Sequence, residues 1–190
     1  MPTAIRALAP APPLSLRALR EHAPSLGLSL VPGVVFGLGL VIAASSPRFA
    51  WVGELTRWPW QLLVIALGGS VATAAGVLDW LYHRHAGIAV GKPERRAELL
   101  ALGLGGVPLF ALMAGATLCS QPLAFLVPVM LVLVATTVMV SYDEVAFHRR
   151  RCAPVEHLLH RLLTGGHLTA FLAWAHWVFV YGTSPAGGLS

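Results

Sequence analysis

The sequence is poor in charged residues and in cysteine. Only 11% of its 190 residues are Asp, Glu, Lys or Arg, whereas 56% are hydrophobic. These proportions exclude an ordinary soluble domain, in which about a quarter of the residues are charged. The two cysteines, Cys119 and Cys152, form neither a CxxC pair nor a zinc-type Cys/His spacing. Walker and GxSxG motifs are missing too, so the sequence does not indicate a phosphate-binding loop or a serine hydrolase.

Long apolar runs occupy most of the chain, and the mean hydropathy is +0.73. A helix of about 20 residues crosses a hydrocarbon layer of roughly 30 Å. Because lipid offers no hydrogen-bond partner to the backbone, we expect every span to be helical. The sequence therefore predicts an all-α, polytopic membrane helix bundle. Its five transmembrane helices are predicted over residues 26–44, 60–82, 99–118, 122–142 and 162–182.

The basic residues predict the orientation of this bundle. All Lys and Arg except Arg48 and Arg57 precede the first span or lie in the loops after the second and fourth spans. The positive-inside rule then predicts a cytoplasmic N-terminus and an external C-terminus. The predicted domains are a cytoplasmic N-terminal segment 1–25, a transmembrane domain 26–182 and a short outer tail 183–190. We expect the bacterial cytoplasmic (inner) membrane, and basic loops facing anionic lipid explain the positive charge without nucleic acid.

Acidic residues and histidines gather on the same predicted cytoplasmic side, mainly in loops 83–98 and 143–161 and at the adjoining helix ends. Six of the eight acidic residues and five of the eight histidines lie there. Acidic residues do not follow the positive-inside rule, so their clustering needs a separate cause. A carboxylate is followed four residues later by a histidine three times, as Asp79 with His83, Glu144 with His148, and Glu156 with His160. Residues at this spacing share a helix face, so each pair can offer an oxygen and an imidazole nitrogen to one point.

These donor types favour a metal site. Oxygen and imidazole without thiolate suit iron, manganese or zinc better than Cu(I) or an iron–sulfur cluster, and the number of donors suits two ions. Asp143 and Glu144 point about 100° apart on a helix, so we expect at most one of them to be a ligand. Spacing to His148 favours Glu144, and depth beside Tyr142 favours Asp143. The candidate metal ligands are Asp79, His83, Glu98, Asp143, Glu144, His148, Glu156 and His160. Candidates to orient a ligand or to complete the set are His157, His167 and Tyr142.

This arrangement resembles the integral-membrane non-haem di-iron oxidases, the desaturase and hydroxylase group, whose metal ligands lie at the cytosolic ends of membrane helices. The resemblance covers Asp79, His83, Glu98, Asp143 or Glu144, His148, Glu156, His157 and His160. It implies a membrane oxidoreductase with two iron ions that uses O₂ to hydroxylate or desaturate a lipophilic substrate. The chain differs from that group in having one closely spaced histidine pair and more carboxylates.

The leading hypothesis is therefore a membrane-embedded metalloenzyme, with hydrolysis by a metal-bound water as an alternative chemistry. Its expected partners are the lipid bilayer, a lipophilic small-molecule substrate, and a redox partner or a second copy of the chain. Two other classes stay open. One is a b-type haem or electron-transfer protein that uses His160, His167 or His176, and the other is a non-catalytic metal-handling or assembly subunit. A purely structural inner face, with helix caps and interfacial histidines, is the remaining alternative.

Overall fold

The computed structural model describes residues 16–85, 92–148 and 153–182, and all regular structure within these ranges is helical. The α-helices are α1 (Leu16–Ala44), α2 (Trp60–His85), α3 (Lys92–Leu100), α4 (Val107–Leu118), α5 (Leu126–Asp143) and α6 (Pro154–Ala175). Three π-helical segments extend or join them: Ala101–Gly106 between α3 and α4, Glu144–His148 after α5, and His176–Tyr181 after α6. Short 3₁₀ segments cover Pro47–Gly53, Leu55–Arg57 and Pro122–Phe125. The all-α prediction is confirmed.

Within the described residues, four helical stretches are long and apolar enough to cross a membrane. They are Leu26–Ala44, Trp60–His83, Arg95–Leu118 and Pro122–Ala146. They coincide with the first four predicted spans, and the third runs through α3, the π-helical segment and α4. The predicted fifth span, 162–182, is helical as far as Tyr181 but is not among the four. His167 and His176 lie within it and lower its mean hydropathy, so the five-span count and the orientation stay predictions.

Small residues bring α2 and α6 into close contact. A Cβ atom placed on Gly166 would lie 2.6 Å from the carbonyl oxygen of Gly68 and 2.9 Å from the backbone nitrogen of Ala72. A Cβ atom on Gly68 would likewise lie 2.9 Å from the carbonyl oxygen of Gly166. Only glycine permits this approach, which is typical of packed membrane helices. The contact fixes the register between α2 and α6, the two helices that carry half of the candidate metal ligands.

The buried core lies where α2 begins and α6 ends, at the opposite end of this helix pair from Asp79 and Glu156. Leu62 at the start of α2 packs there with Trp174 and Trp177 near the end of α6. The indole N–H of Trp174 donates to Oγ1 of Thr117 at 2.9 Å, which ties α6 to α4. By helical rise, Asp79 lies about 25 Å further along α2 than Leu62. The aromatic end thus anchors the bundle, and the carboxylates lie at the opposite end.

Candidate metal centre

Two helix ends supply the centre of the site. Asp79 and His83 lie in the last turns of α2, where Asp79 Oδ2 is 3.7 Å from His83 Nδ1. Glu156 and His160 lie in the first turns of α6. Pro154 begins α6 at the position where its missing N–H costs nothing. The carboxylate of Glu156, three residues after the cap, accepts the backbone N–H of Ala153 at 3.1 Å, which is half of a capping box.

Carboxylates and imidazoles alternate across the two helices. His83 Nε2 lies 2.5 Å from Glu156 Oε1, and this hydrogen bond joins the end of α2 to the start of α6. His160 Nε2 lies 3.5 Å from Asp79 Oδ2. On the other side of the same ring, His160 Nδ1 lies 3.0 Å from Glu144 Oε2. Glu144 begins the π-helical segment after α5, so three parts of the chain meet at His160.

Asp79, Glu156 and His160 form a group that can hold a metal ion. Each offers one ligand atom, and these atoms all lie within 4.8 Å of one another. Ligands bound at about 2.1 Å to one ion lie at most roughly 4.2 Å apart, so small side-chain shifts would close the group around it. Asp79 Oδ1 is buried and has no hydrogen-bond partner among the described residues. A buried carboxylate oxygen without a partner costs free energy, and a cation beside it would remove that cost.

Burial makes the charges of this group significant. The side chain of Glu156 is 5% exposed, and those of Asp79 and His160 are each 17% exposed. Two carboxylates at this depth need a positive charge nearby, which a protonated imidazole or a metal ion can provide. Burial by itself lowers the pKa of His160, but the hydrogen bonds and charges of Asp79 and then Glu144 outweigh it and raise the pKa to about 9. In the metal-free protein, the His160 imidazolium therefore balances part of the negative charge.

The structure brings five of the eight sequence-derived ligand candidates into one network: Asp79, His83, Glu144, Glu156 and His160. The side chains of Glu98, Asp143 and His148 lie outside the described part of the structure, so their roles stay predictions. Because the Asp143 side chain is not described, the choice between Asp143 and Glu144 can draw only on the contacts of Glu144. Glu144 reaches His160 on the next helix, a contact that its spacing to His148 did not indicate.

The three candidates for supporting roles lie at different distances from the group. His157 Nδ1 is 3.9 Å from Glu144 Oε1, at the edge of the network. His167 lies about two turns deeper along α6 than His160. Tyr142 is 62% exposed and lines a groove between α3 and α5. His157 thus contacts the network through the Glu144 carboxylate.

Two positioning contacts were not predicted from the sequence. One is the Ala153 N–H that holds Glu156, for which Pro154 followed by Glu156 was an available capping signal. The other is the Gly68–Gly166 contact, which needs knowledge of the helix pairing.

Comparison with protein-family models, with curated proteins and with solved structures finds no match for this chain.

Proposed function

We propose that this chain is a membrane-embedded metalloenzyme with a His/carboxylate metal site where α2 ends and α6 begins, and that it oxidises a lipophilic substrate. The observation that carries the proposal is the grouping of Asp79, Glu156 and His160, whose ligand atoms lie within 4.8 Å of one another. The unpartnered, buried Asp79 Oδ1 adds a second reason to expect a cation there.

The donor set suits non-haem iron, with manganese or zinc as alternatives. Two carboxylates and one imidazole are hard and borderline ligands, and no described thiolate lies among them. The described group accommodates one ion. A second ion would be bound by Glu144 together with Glu98, Asp143 or His148. With these ligands for the second ion, the two-iron centre is part of the proposal. Bound iron would supply oxidation chemistry with O₂, that is, hydroxylation or desaturation of the substrate.

The protein's own side chains have distinct roles in this proposal. Asp79, Glu156 and His160 hold the ion, and His83 donates to Glu156 Oε1 from the neighbouring helix. A metal-bound imidazole commonly donates its second N–H to a carboxylate, which fixes the ring and raises its basicity. Glu144 lies in that position at His160 Nδ1, with Oε2 3.0 Å away. We therefore assign Glu144 as a positioning residue for His160 rather than as a ligand of the same ion.

The membrane placement follows from the helix pairing and from the basic residues. α6 packs along α2 through Gly166 and Gly68, and α2 contains a membrane-length apolar stretch. We infer that α6 from residue 162 onwards, together with its π-helical continuation, crosses beside α2 as a fifth span. The Lys and Arg distribution supports a metal site on the cytoplasmic side. We propose the bacterial inner membrane as its location.

The haem alternative has less support from the histidine contacts. His176 Nδ1 accepts a hydrogen bond from the amide of Gln61 at 3.0 Å, and His160 has a carboxylate beside each of its ring nitrogens. Both rings thus have partners within the bundle. A purified preparation is expected to lack a Soret band, and a sharp Soret band would instead support the haem alternative.

Elemental analysis of the detergent-purified protein tests the metal site. We expect tightly held metal in the wild type after supply of iron, manganese and zinc, and its loss in Asp79→Asn, Glu156→Gln and His160→Ala. Glu54→Gln is the control, because Glu54 is an exposed carboxylate paired with Arg57 at the other end of the bundle. A folded wild type that holds no metal under these conditions would refute the proposal.

Product analysis tests the oxidation chemistry separately. Membranes containing the iron-loaded wild type, supplied with O₂ and a reductant, are expected to accumulate lipophilic compounds that have gained one oxygen atom or lost two hydrogens. Membranes containing Glu156→Gln provide the matched background. Metal-loaded protein without such products would favour the metal-handling alternative.

A further inference from the structure

An apolar groove of about 670 Å³ lies between α3 and α5, and none of its lining residues belongs to the group Asp79, Glu156 and His160. Ala97 and Leu100 from α3 line it together with Val138 and Met139 from α5. These residues belong to two of the membrane-length apolar stretches, and the Val138 side chain is 62% exposed, so the groove faces the surrounding lipid. Its volume is within the range of roughly 300 to 1,000 Å³ that is usual for ligand sites.

The groove has one polar end. α3 and α5 run in opposite directions, so the first turns of α3 lie beside the last turn of α5. Arg96 and Pro93 from α3 and Tyr142 from α5 line this end, whereas the apolar residues lie deeper. Arg96 is exposed, and none of the carboxylates that the structure describes forms an ion pair with it. An exposed cation at the mouth of an apolar groove complements an amphiphile with an anionic headgroup.

We propose that this groove binds an anionic phospholipid, with its phosphate on the Arg96 guanidinium and an acyl chain along Leu100, Val138 and Met139. The planar guanidinium matches the geometry of a phosphate and can bind two of its oxygens at once. Basic pockets between transmembrane helices are known to bind anionic headgroups on the cytoplasmic side of membranes. The groove therefore recognises lipid by charge at one end and by apolar contact along its length, independently of the metal site.

Native mass spectrometry of the delipidated protein tests this proposal. The protein is mixed with equal amounts of phosphatidylglycerol and phosphatidylcholine in a neutral detergent. We expect the wild type to retain phosphatidylglycerol preferentially, and Arg96→Gln to reduce that retention about fivefold, the effect expected for one basic residue at a membrane surface. Arg95→Gln is the matched control, because it removes the same charge from the neighbouring residue, which does not line the groove.

A second variant tests the apolar part of the groove. Met139→Trp fills the space for the acyl chain without changing any charge, and we expect it to lower phosphatidylglycerol retention as well. Equal losses in Arg95→Gln and Arg96→Gln would overturn the proposal, because they would indicate general charge attraction. Equal retention of the two lipids by the wild type would also overturn it. So would a wild-type dimer that Met139→Trp dissociates, since a second copy of the chain would then occupy the groove.

Discussion

His160 lies between two carboxylates, with Nδ1 3.0 Å from Glu144 Oε2 and Nε2 3.5 Å from Asp79 Oδ2. Asp79 belongs to the group of ligand atoms that can hold a metal ion, and Glu144 does not. We therefore propose different roles for the two carboxylates, although the sequence presents both as candidate ligands. In this proposal one side of the ring faces the ion, and an acceptor on the next helix holds the other side.

Glu144→Gln should weaken metal binding without abolishing it. Loss of an orienting carboxylate typically reduces metal affinity by about 10- to 100-fold. Titration against a chelator of known affinity measures this change, and the metal-to-protein ratio at saturation should stay at the wild-type value. If Glu144→Gln instead loses all metal, as Glu156→Gln is expected to do, then Glu144 is a ligand and not a positioning residue.

Gly166→Ala should separate α2 from α6. Its new methyl group would lie 2.6 Å from the Gly68 carbonyl oxygen, and backbone atoms cannot move aside as a flexible side chain can. We expect a lower Tm in detergent together with reduced metal content, because Asp79 and His160 would no longer meet. Gly165→Ala is the control, since its methyl group meets nothing within 4 Å. Equal Tm values for the two variants would contradict the described packing of α2 against α6.

Glu156 should contribute to stability even without metal. Its carboxylate accepts the Ala153 N–H and bonds to His83, and Glu156→Ala removes both contacts from a buried position. A loss of about 1 to 3 kcal/mol in the free energy of unfolding is expected for the metal-free protein. Glu156→Gln keeps an acceptor for Ala153 and should lose less. Thermal unfolding of both variants after chelation measures the difference, and no loss in either would show that these contacts do not stabilise the fold.

Metal affinity should rise with pH up to about 9, the pKa of His160. Below that pH the imidazole carries a proton that the metal must displace, so the affinity should fall by about tenfold for each pH unit. The metal-free protein should show the opposite trend. The raised pKa makes the imidazolium a stabilising group below the ordinary value of 6.5, and this contribution is lost as the pH rises through about 9. His160→Gln should remove the contribution of His160 to the pH dependence of metal affinity and of stability. If both pH profiles are unchanged in that variant, another group causes them.

Local patterns in the sequence predicted the features of the fold that depend on residues close together in the chain. Apolar runs located four membrane-length helices, because hydropathy and helix length act within one segment. The spacing of Asp79 from His83 and of Glu156 from His160 predicted the two helix faces that carry the site. The hydrogen bond between His83 and Glu156 could not be read from spacing, because it depends on how α2 and α6 pack.

The same limit explains why the contact between Glu144 and His160 was not predicted. Its distance from His160 depends on the π-helical segment after α5 and on the position of α6 beside it. Contacts between helices are decided by small residues such as Gly68 and Gly166, whose partners are far away in sequence. Candidate ligands could thus be identified by residue type, whereas the division into ligands and positioning residues that we propose rests on contacts between helices.

An anomalous difference map from crystals of the metal-loaded protein tests the central claim most directly. The account predicts a peak within about 2.0 to 2.2 Å of one ligand atom from each of Asp79, Glu156 and His160, with Glu144 on the far side of the His160 ring. Crystals of the folded protein, loaded with iron, manganese or zinc, that show no peak between these three side chains would contradict it.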